Sequence, residues 1–145
     1  MLKQHKDLPI QSSQELLEGY AGGRMDFEAA NLWQADLRAA KLAGVNLSKA
    51  ILFRAVLNEA ILALANLSQI DLVRANLRSA RLDRSNLRLA NLYEADLSGA
   101  SLPNTNLSRT NLERAILSRC DLSQANLHHA NLTHANLTQA DLTAA

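Results

Sequence analysis

Residues 90–104 run Ala90-Asn91-Leu92-Tyr93-Glu94-Ala95-Asp96-Leu97-Ser98-Gly99-Ala100-Ser101-Leu102-Pro103-Asn104, with a leucine at every fifth position. Followed outward in both directions, this register holds from Phe27 to Leu142 without a slip. It has 24 central positions; 23 are Leu and the other is Phe27. Two residues before the centre, 17 of the 24 are Ala, and one residue before, 17 of the 24 are Asn or Asp. The repeating unit is therefore Ala-(Asn/Asp)-Leu-x-x.

Period five excludes the common regular structures. On an α-helix, leucines five apart advance by about 140° net and spiral round every face. On a flat strand an odd spacing throws alternate leucines to opposite faces. Asn and Asp at every fifth residue also oppose a helix interior and a flat strand. A chain that turns a corner every five residues keeps every leucine inside, and four corners close a coil of about 20 residues. Leu and the preceding Ala then point inward, the Asn/Asp between them points out, and the last two residues of each unit make the corner.

Composition agrees with a narrow, regular core. Of the 145 residues 48% are hydrophobic but only 3% aromatic, too few rings to fill an ordinary interior of this size. The 15 Lys+Arg against 14 Asp+Glu leave a net charge of +1, which argues against binding nucleic acid or a membrane surface by bulk electrostatics. The single cysteine, Cys120, falls on an inward small site, where a buried thiol is expected. No apolar run approaches about 18 residues and the first residues contain no signal-type apolar stretch, so a cytoplasmic protein without membrane contact is expected.

The unit Ala-(Asn/Asp)-Leu-x-x resembles the pentapeptide repeat proteins, and the resemblance covers residues 25–145. It implies an all-β fold, a right-handed quadrilateral β-helix of about six coils. The lead-in from Glu15 to Phe27 resembles that of members abundant in cyanobacteria. Residues 1–24 are taken as an N-terminal capping segment and 25–145 as a β-helix of 24 repeats. Within the former, Ser12-Ser13-Gln14-Glu15 has the spacing of a helix capping box and Gly22-Gly23 a stop, so a short helix should cover the first coil. Leu32, Leu52, Leu72, Leu92, Leu112 and Leu132 should form one inward column of the core.

Reading outer positions every 20 residues gives the candidate sites. Trp33, Phe53, Val73 and Tyr93 fall on one outer column, with Ile51, Arg54 and Arg74 beside them. This apolar patch rimmed by arginine is the candidate protein interface, against the plainer possibility of an aromatic ladder that stiffens the wall. Val56, Ile61 and Leu64 continue an apolar belt round the same coil. Asp26, Asn46, Asn66, Asn86, Asn106 and Asn126 form an Asx ladder on the preceding wall. The C-terminal coil has no covering device in the sequence, so Leu137, Leu142 and Thr143 are the candidate end of a homodimer.

No catalytic constellation, cofactor motif or metal-ligand set emerges. His128 and His129 should diverge round one corner, with His134 on the next wall. The expected function is a non-catalytic, rigid scaffold or protein–protein interaction module with an unidentified protein partner. One alternative implied by the resemblance is a DNA-mimicking binder of gyrase. The outer corner positions carry ten basic against five acidic residues, which opposes such mimicry. The other alternative is a structural accessory protein without a specific ligand.

Overall fold

The computed structural model describes residues 10–145; residues 1–9 of the lead-in lie outside the described residues. One helix, α1 (Ser13–Ala21), precedes the repeats. Its N-cap is Ser12, whose Oγ accepts from the Glu15 amide at 3.1 Å, and the Glu15 carboxylate in turn accepts from the Gln11 amide at 3.2 Å. The helix ends where Gly22 N–H donates to Glu18 O and Gly23 N–H to Tyr20 O. Leu16 is fully buried against the first coil, and Tyr20 Oη donates to Ala43 O at 2.8 Å. Gly19 packs closely here: a Cβ on it would lie 3.0 Å from the Phe27 ring, which would have to shift by a few tenths of an ångström.

From Asp26 onward parallel bridges join residues 20 apart, from Asp26–Asn46 through Asp121–Asp141. Each coil therefore holds four repeats stacked in register on the next. The centres fall into four walls. Wall 1 begins at Phe27 and Leu47, wall 2 at Leu32 and Leu52, wall 3 at Leu37 and Leu57, and wall 4 at Leu42 and Leu62. The bridges are single-residue contacts and do not join into extended strands. Only three residues of each unit lie along a wall before the next turn, too few for a ladder of ordinary length.

The corner has one conformation throughout. The centre's carbonyl accepts from the amide three residues on, as in Ala30 N–H to Phe27 O at 3.1 Å and Ala95 N–H to Leu92 O at 3.0 Å. The residue two after every centre has positive φ, from Ala29 at 57° to Ala144 at 55°. This is the type II turn pattern, which normally wants glycine at that position. Here only Gly44 and Gly99 supply it, and the other 22 corners use residues with side chains.

Phe27 and every centre from Leu32 to Leu122 are buried, most of them fully. Two of the buried hydroxyls at the inward small site find an acceptor on the coil below, Thr105 Oγ1 donating to Leu82 O and Thr110 Oγ1 to Leu87 O, both at 2.9 Å, while Ser85 Oγ has no partner among the described residues. Leu132, expected as core, is only half-buried, as are Leu127 and Leu137. These residues belong to the last described coil, on which no described residue stacks. The described helix is nine residues long, and no helix of the described residues is long and apolar enough to cross a membrane.

Candidate functional site

The surface follows from an accounting of the five backbone amides in each repeat. In the repeat of Leu47, Val45 N–H closes the turn to Leu42 O, Asn46 N–H reaches Met25 O on one neighbouring coil, and Leu47 and Lys49 N–H reach Asn66 O and Ser68 O on the other. Ser48 N–H, just after the centre, has no backbone acceptor; it donates to Asn46 Oδ1 at 3.1 Å. All 17 Asn and Asp residues before a centre accept in this way, at 2.9–3.4 Å. The recurrent Asx is thus an Asx turn that satisfies the one amide the coil cannot.

Axial ladder bonds are secondary to this. On wall 1, Asn46 Nδ2 donates to Asp26 at 2.8 Å, Asn66 to Asn46 at 3.1 Å and Asn86 to Asn66 at 3.4 Å. The ladder follows from the 20-residue spacing of Asx, whereas the cap depends on the direction of one amide in the turn. A signal for it was present: at Pro103 the needy amide does not exist, and Ser101 stands where Asx is otherwise usual.

Seven repeats lack Asx before the centre and carry Lys41, Ile51, Val56, Ile61, Arg81, Ser101 or Ile116 instead. Three of these are the successive positions of the apolar belt, Ile51, Val56 and Ile61. In the belt, therefore, an apolar side chain stands where a backbone cap would otherwise be.

Wall 2 gathers the residues singled out from sequence, each 20 residues from the next along one file. Trp33 is 57% and Ile51 43% exposed, while Phe53, Val73 and Tyr93 are half-buried. The Arg54 guanidinium lies 5.2 Å from the Phe53 ring centroid and makes no ion pair among the described residues. Arg74 differs: its Nε is 2.7 Å from Glu94 Oε2, and Arg114 approaches the other Glu94 oxygen at 3.7 Å. The Arg74 hydrogen bond holds the Glu94 carboxyl below its ordinary range. Wall 2 thus divides into an aromatic half with one uncommitted arginine and a half in which charges satisfy one another. The close ring pair among the described residues is His128–His129, not one of these aromatics.

The remaining candidates sit as follows. In the last described coil Leu137 is half-buried, Leu142 is 42% exposed and Thr143 is exposed, its Oγ1 donating to Asp141. The His128 and His129 rings do not diverge; their centroids are 3.9 Å apart, because the corner turns back sharply enough to fold one ring toward the other. No group of three metal-ligating side chains converges among the described residues. Cys120 is buried, its Sγ 2.9 Å from Leu97 O, and burial pushes its thiol up to about 11. Wall 3 carries two open, polar troughs, one of about 590 Å³ lined by Ser79, Ser98, Gly99 and Ser118 and one of about 420 Å³ lined by Val56, Asn58, Asn76 and Ser79.

Comparison with known proteins agrees with this architecture. A solved structure of QnrB1, a plasmid-mediated fluoroquinolone resistance protein, aligns over 82% of this chain with a TM-score of 0.63 and 22% identity. The chain spans 63% of that protein's length. Rfr23, a pentapeptide repeat protein from the cyanobacterium Cyanothece 51142, aligns over 86% of this chain and 99% of its own, with a TM-score of 0.55 and 23% identity. No curated protein sequence matches the chain. The family model for pentapeptide repeats, whose members fold as right-handed quadrilateral β-helices, matches eight copies in overlapping segments at residues 26–58, 50–88, 70–109, 90–128 and 105–145. In keeping with the 20-residue bridges and the five-residue turn, the chain belongs to the pentapeptide repeat family.

Proposed function

We propose that this protein is a non-catalytic scaffold whose rod of about six coils engages a protein partner through the aromatic half of wall 2. The observation that carries this reading is Trp33, 57% exposed, beside Ile51, 43% exposed, with Arg54 over Phe53 and uncommitted to an acidic partner among the described residues. Trp and Arg are the side chains on which binding energy concentrates in protein interfaces. Trp33 and Phe53 stand on successive coils without forming a close ring pair, which favours contact with a partner over a self-packed ladder. The test is Phe53→Glu with Trp33→Ala. Partner capture, or self-association, should be lost while the thermal midpoint stays within about 2 °C. A large fall in the midpoint instead assigns the aromatics to stiffening the rod.

A second reading rests on the half-buried Leu127, Leu132 and Leu137 and the exposed Leu142: the C-terminal coil pairs with its copy in a homodimer. Sedimentation velocity over a hundredfold concentration range tests it, with Leu142→Asp expected to return the chain to a monomer. Gyrase binding by DNA mimicry is the disfavoured alternative. The likeness to QnrB1 is one of fold, and the basic corner positions outnumber the acidic ones ten to five. No inhibition of supercoiling at micromolar protein is expected.

A further inference from the structure

On wall 4 the Asx rule fails at four successive levels, where the residues before the centres are Lys41, Ile61, Arg81 and Ser101. No other wall has two successive failures. The amides that Asx would have capped are those of Ala43, Ala63 and Asp83, and none of them has an acceptor among the described residues; the fourth position is Pro103, with no amide to cap. In every Asx repeat this N–H meets an outward side-chain oxygen, so on wall 4 three donors face outward in a row, one per coil.

Their surroundings are cationic and apolar. Lys41 and Arg84 are exposed and form no ion pair among the described residues. Arg81 lies 3.8 Å from Asp83, the one acidic residue at these levels. Asp83 is engaged through one oxygen: Oδ1 accepts from Ser101 Oγ at 3.1 Å, while Oδ2 is buried without a hydrogen-bond partner, so the cations of this wall outnumber a single carboxylate. Leu64, at the corner, is 65% exposed, more than any other large apolar side chain described. Ile61 and Ala63 beside it are half-buried, and one coil away Tyr20 and Met25 border Ala43 and Gly44.

We propose that wall 4, between the levels of Lys41 and Asn104, binds an acidic polypeptide segment whose carboxylates alternate with apolar side chains. The segment's carboxylates accept from the Ala43, Ala63 and Asp83 amides, as Asx side chains do elsewhere on the rod, and pair with Lys41 and Arg84. Its apolar side chains cover Leu64 and Ile61. Charge complementarity names the occupant: free donors and uncommitted cations demand an acceptor-rich anion. The apolar centre favours a polypeptide over a nucleic-acid strand, which needs several rings on which its bases can stack; Tyr20, whose hydroxyl is bonded to Ala43 O, is the one ring at these levels. This face is separate from wall 2 and stands without it.

The experiment pans a random twelve-residue peptide library on the full chain and measures the best peptide by fluorescence anisotropy. Enriched peptides should interleave Asp or Glu with Leu, Ile or Phe. Arg84→Glu should weaken their binding about tenfold or more. Ile61→Asn, which restores an internal acceptor to Ala63 and follows the repeat's own pattern, should weaken it about threefold or more. Phe53→Glu on wall 2 should leave it unchanged. Arg84 is a solvent-exposed corner residue, so its variant tests the surface even if Ile61→Asn shifts the fold. The proposal is overturned if no peptide enriches, if the enriched peptides are not acidic, or if Arg84→Glu binds them as tightly. Binding that follows Phe53 rather than Arg84 also overturns it, as does an oligonucleotide that takes the same face more tightly than any peptide.

Discussion

Walls 1 and 4 share a column of leucine inside and have opposite outsides. Both line the core with leucine at every level but the first of wall 1, which is Phe27, and Leu47, Leu67, Leu87, Leu62, Leu82 and Leu102 are all buried to the same degree. Outside, wall 1 carries Asx at all six levels, and each caps the amide two residues on. Wall 4 abandons the cap from Lys41 to Ser101 and resumes it only at Asp121 and Asp141. The leucine centres are equivalent positions, and variation inside is confined to the small site two residues before them, as in Val45, Ser85 and Thr105 of wall 1. The exterior hinges on a single hydrogen bond per repeat, worth about 0.5–1.5 kcal/mol. A wall can forgo that bond and use the position for something else.

The largest effect should ignore the difference between the walls. Leu67→Ala on wall 1 and Leu62→Ala on wall 4 should each cost about 2–5 kcal/mol, and within about 1 kcal/mol of one another, in denaturant unfolding. A cost confined to one wall would break the equivalence of the interior. The next effect should reverse sign between the walls. Asn86→Ala removes the acceptor of Arg88 N–H and an axial bond to Asn66, and should cost about 1 kcal/mol. Arg81→Asn on wall 4 supplies the acceptor that Asp83 N–H lacks and gives up a 3.8 Å ion pair to the half-buried Asp83, so its net gain should be about 0.5 kcal/mol. If both variants lose stability, capping is not what distinguishes the two walls.

The smallest effect concerns the level where wall 4 resumes its caps. Asp141 accepts from the hydroxyl and amide of Thr143, and these bonds hold its carboxyl below the ordinary value of 3.8. Its folded value lies below its unfolded one, so its contribution is complete above the ordinary carboxylate range and fades as pH falls through the folded value. Thermal midpoints between pH 7 and pH 2.5 should therefore fall less steeply for Asp141→Asn, which keeps the acceptor and cannot be protonated there. Equal slopes would mean that Asp141 is uncapped in solution.

Almost all of the core was legible because a buried centre every fifth residue has few geometric solutions. The start of α1 was legible too, since Ser12 and Glu15 carry their cap in their spacing. What escaped the sequence depends on the direction of individual backbone groups. Periodicity says that Asn46 faces out, but only the turn shows that Ser48 N–H has nowhere else to go. Leu132 repeats the pattern of Leu112 yet is half-buried, because burial depends on the coil above and not on the residue's own unit. Arg54 and Arg74 look alike in the repeat, and it takes Glu94, one coil away, to commit one and leave the other. The approach of His128 to His129 likewise follows from the sharpness of a corner.

That corner also sets how this surface can change over evolutionary time. Each sits in the left-handed region, at a cost of about 1–2 kcal/mol for a residue with a side chain, and is held there by the bonds to its neighbours on the stack. The 24 corner residues include Arg, Lys, Gln, Glu, His, Leu, Ser, Asn, Ala and Gly, and not one Val, Ile or Thr. Branching at Cβ is excluded, but charge, length and polarity are free. Such a rod can exchange one partner for another by rewriting its corners one residue at a time while its shape stays constant.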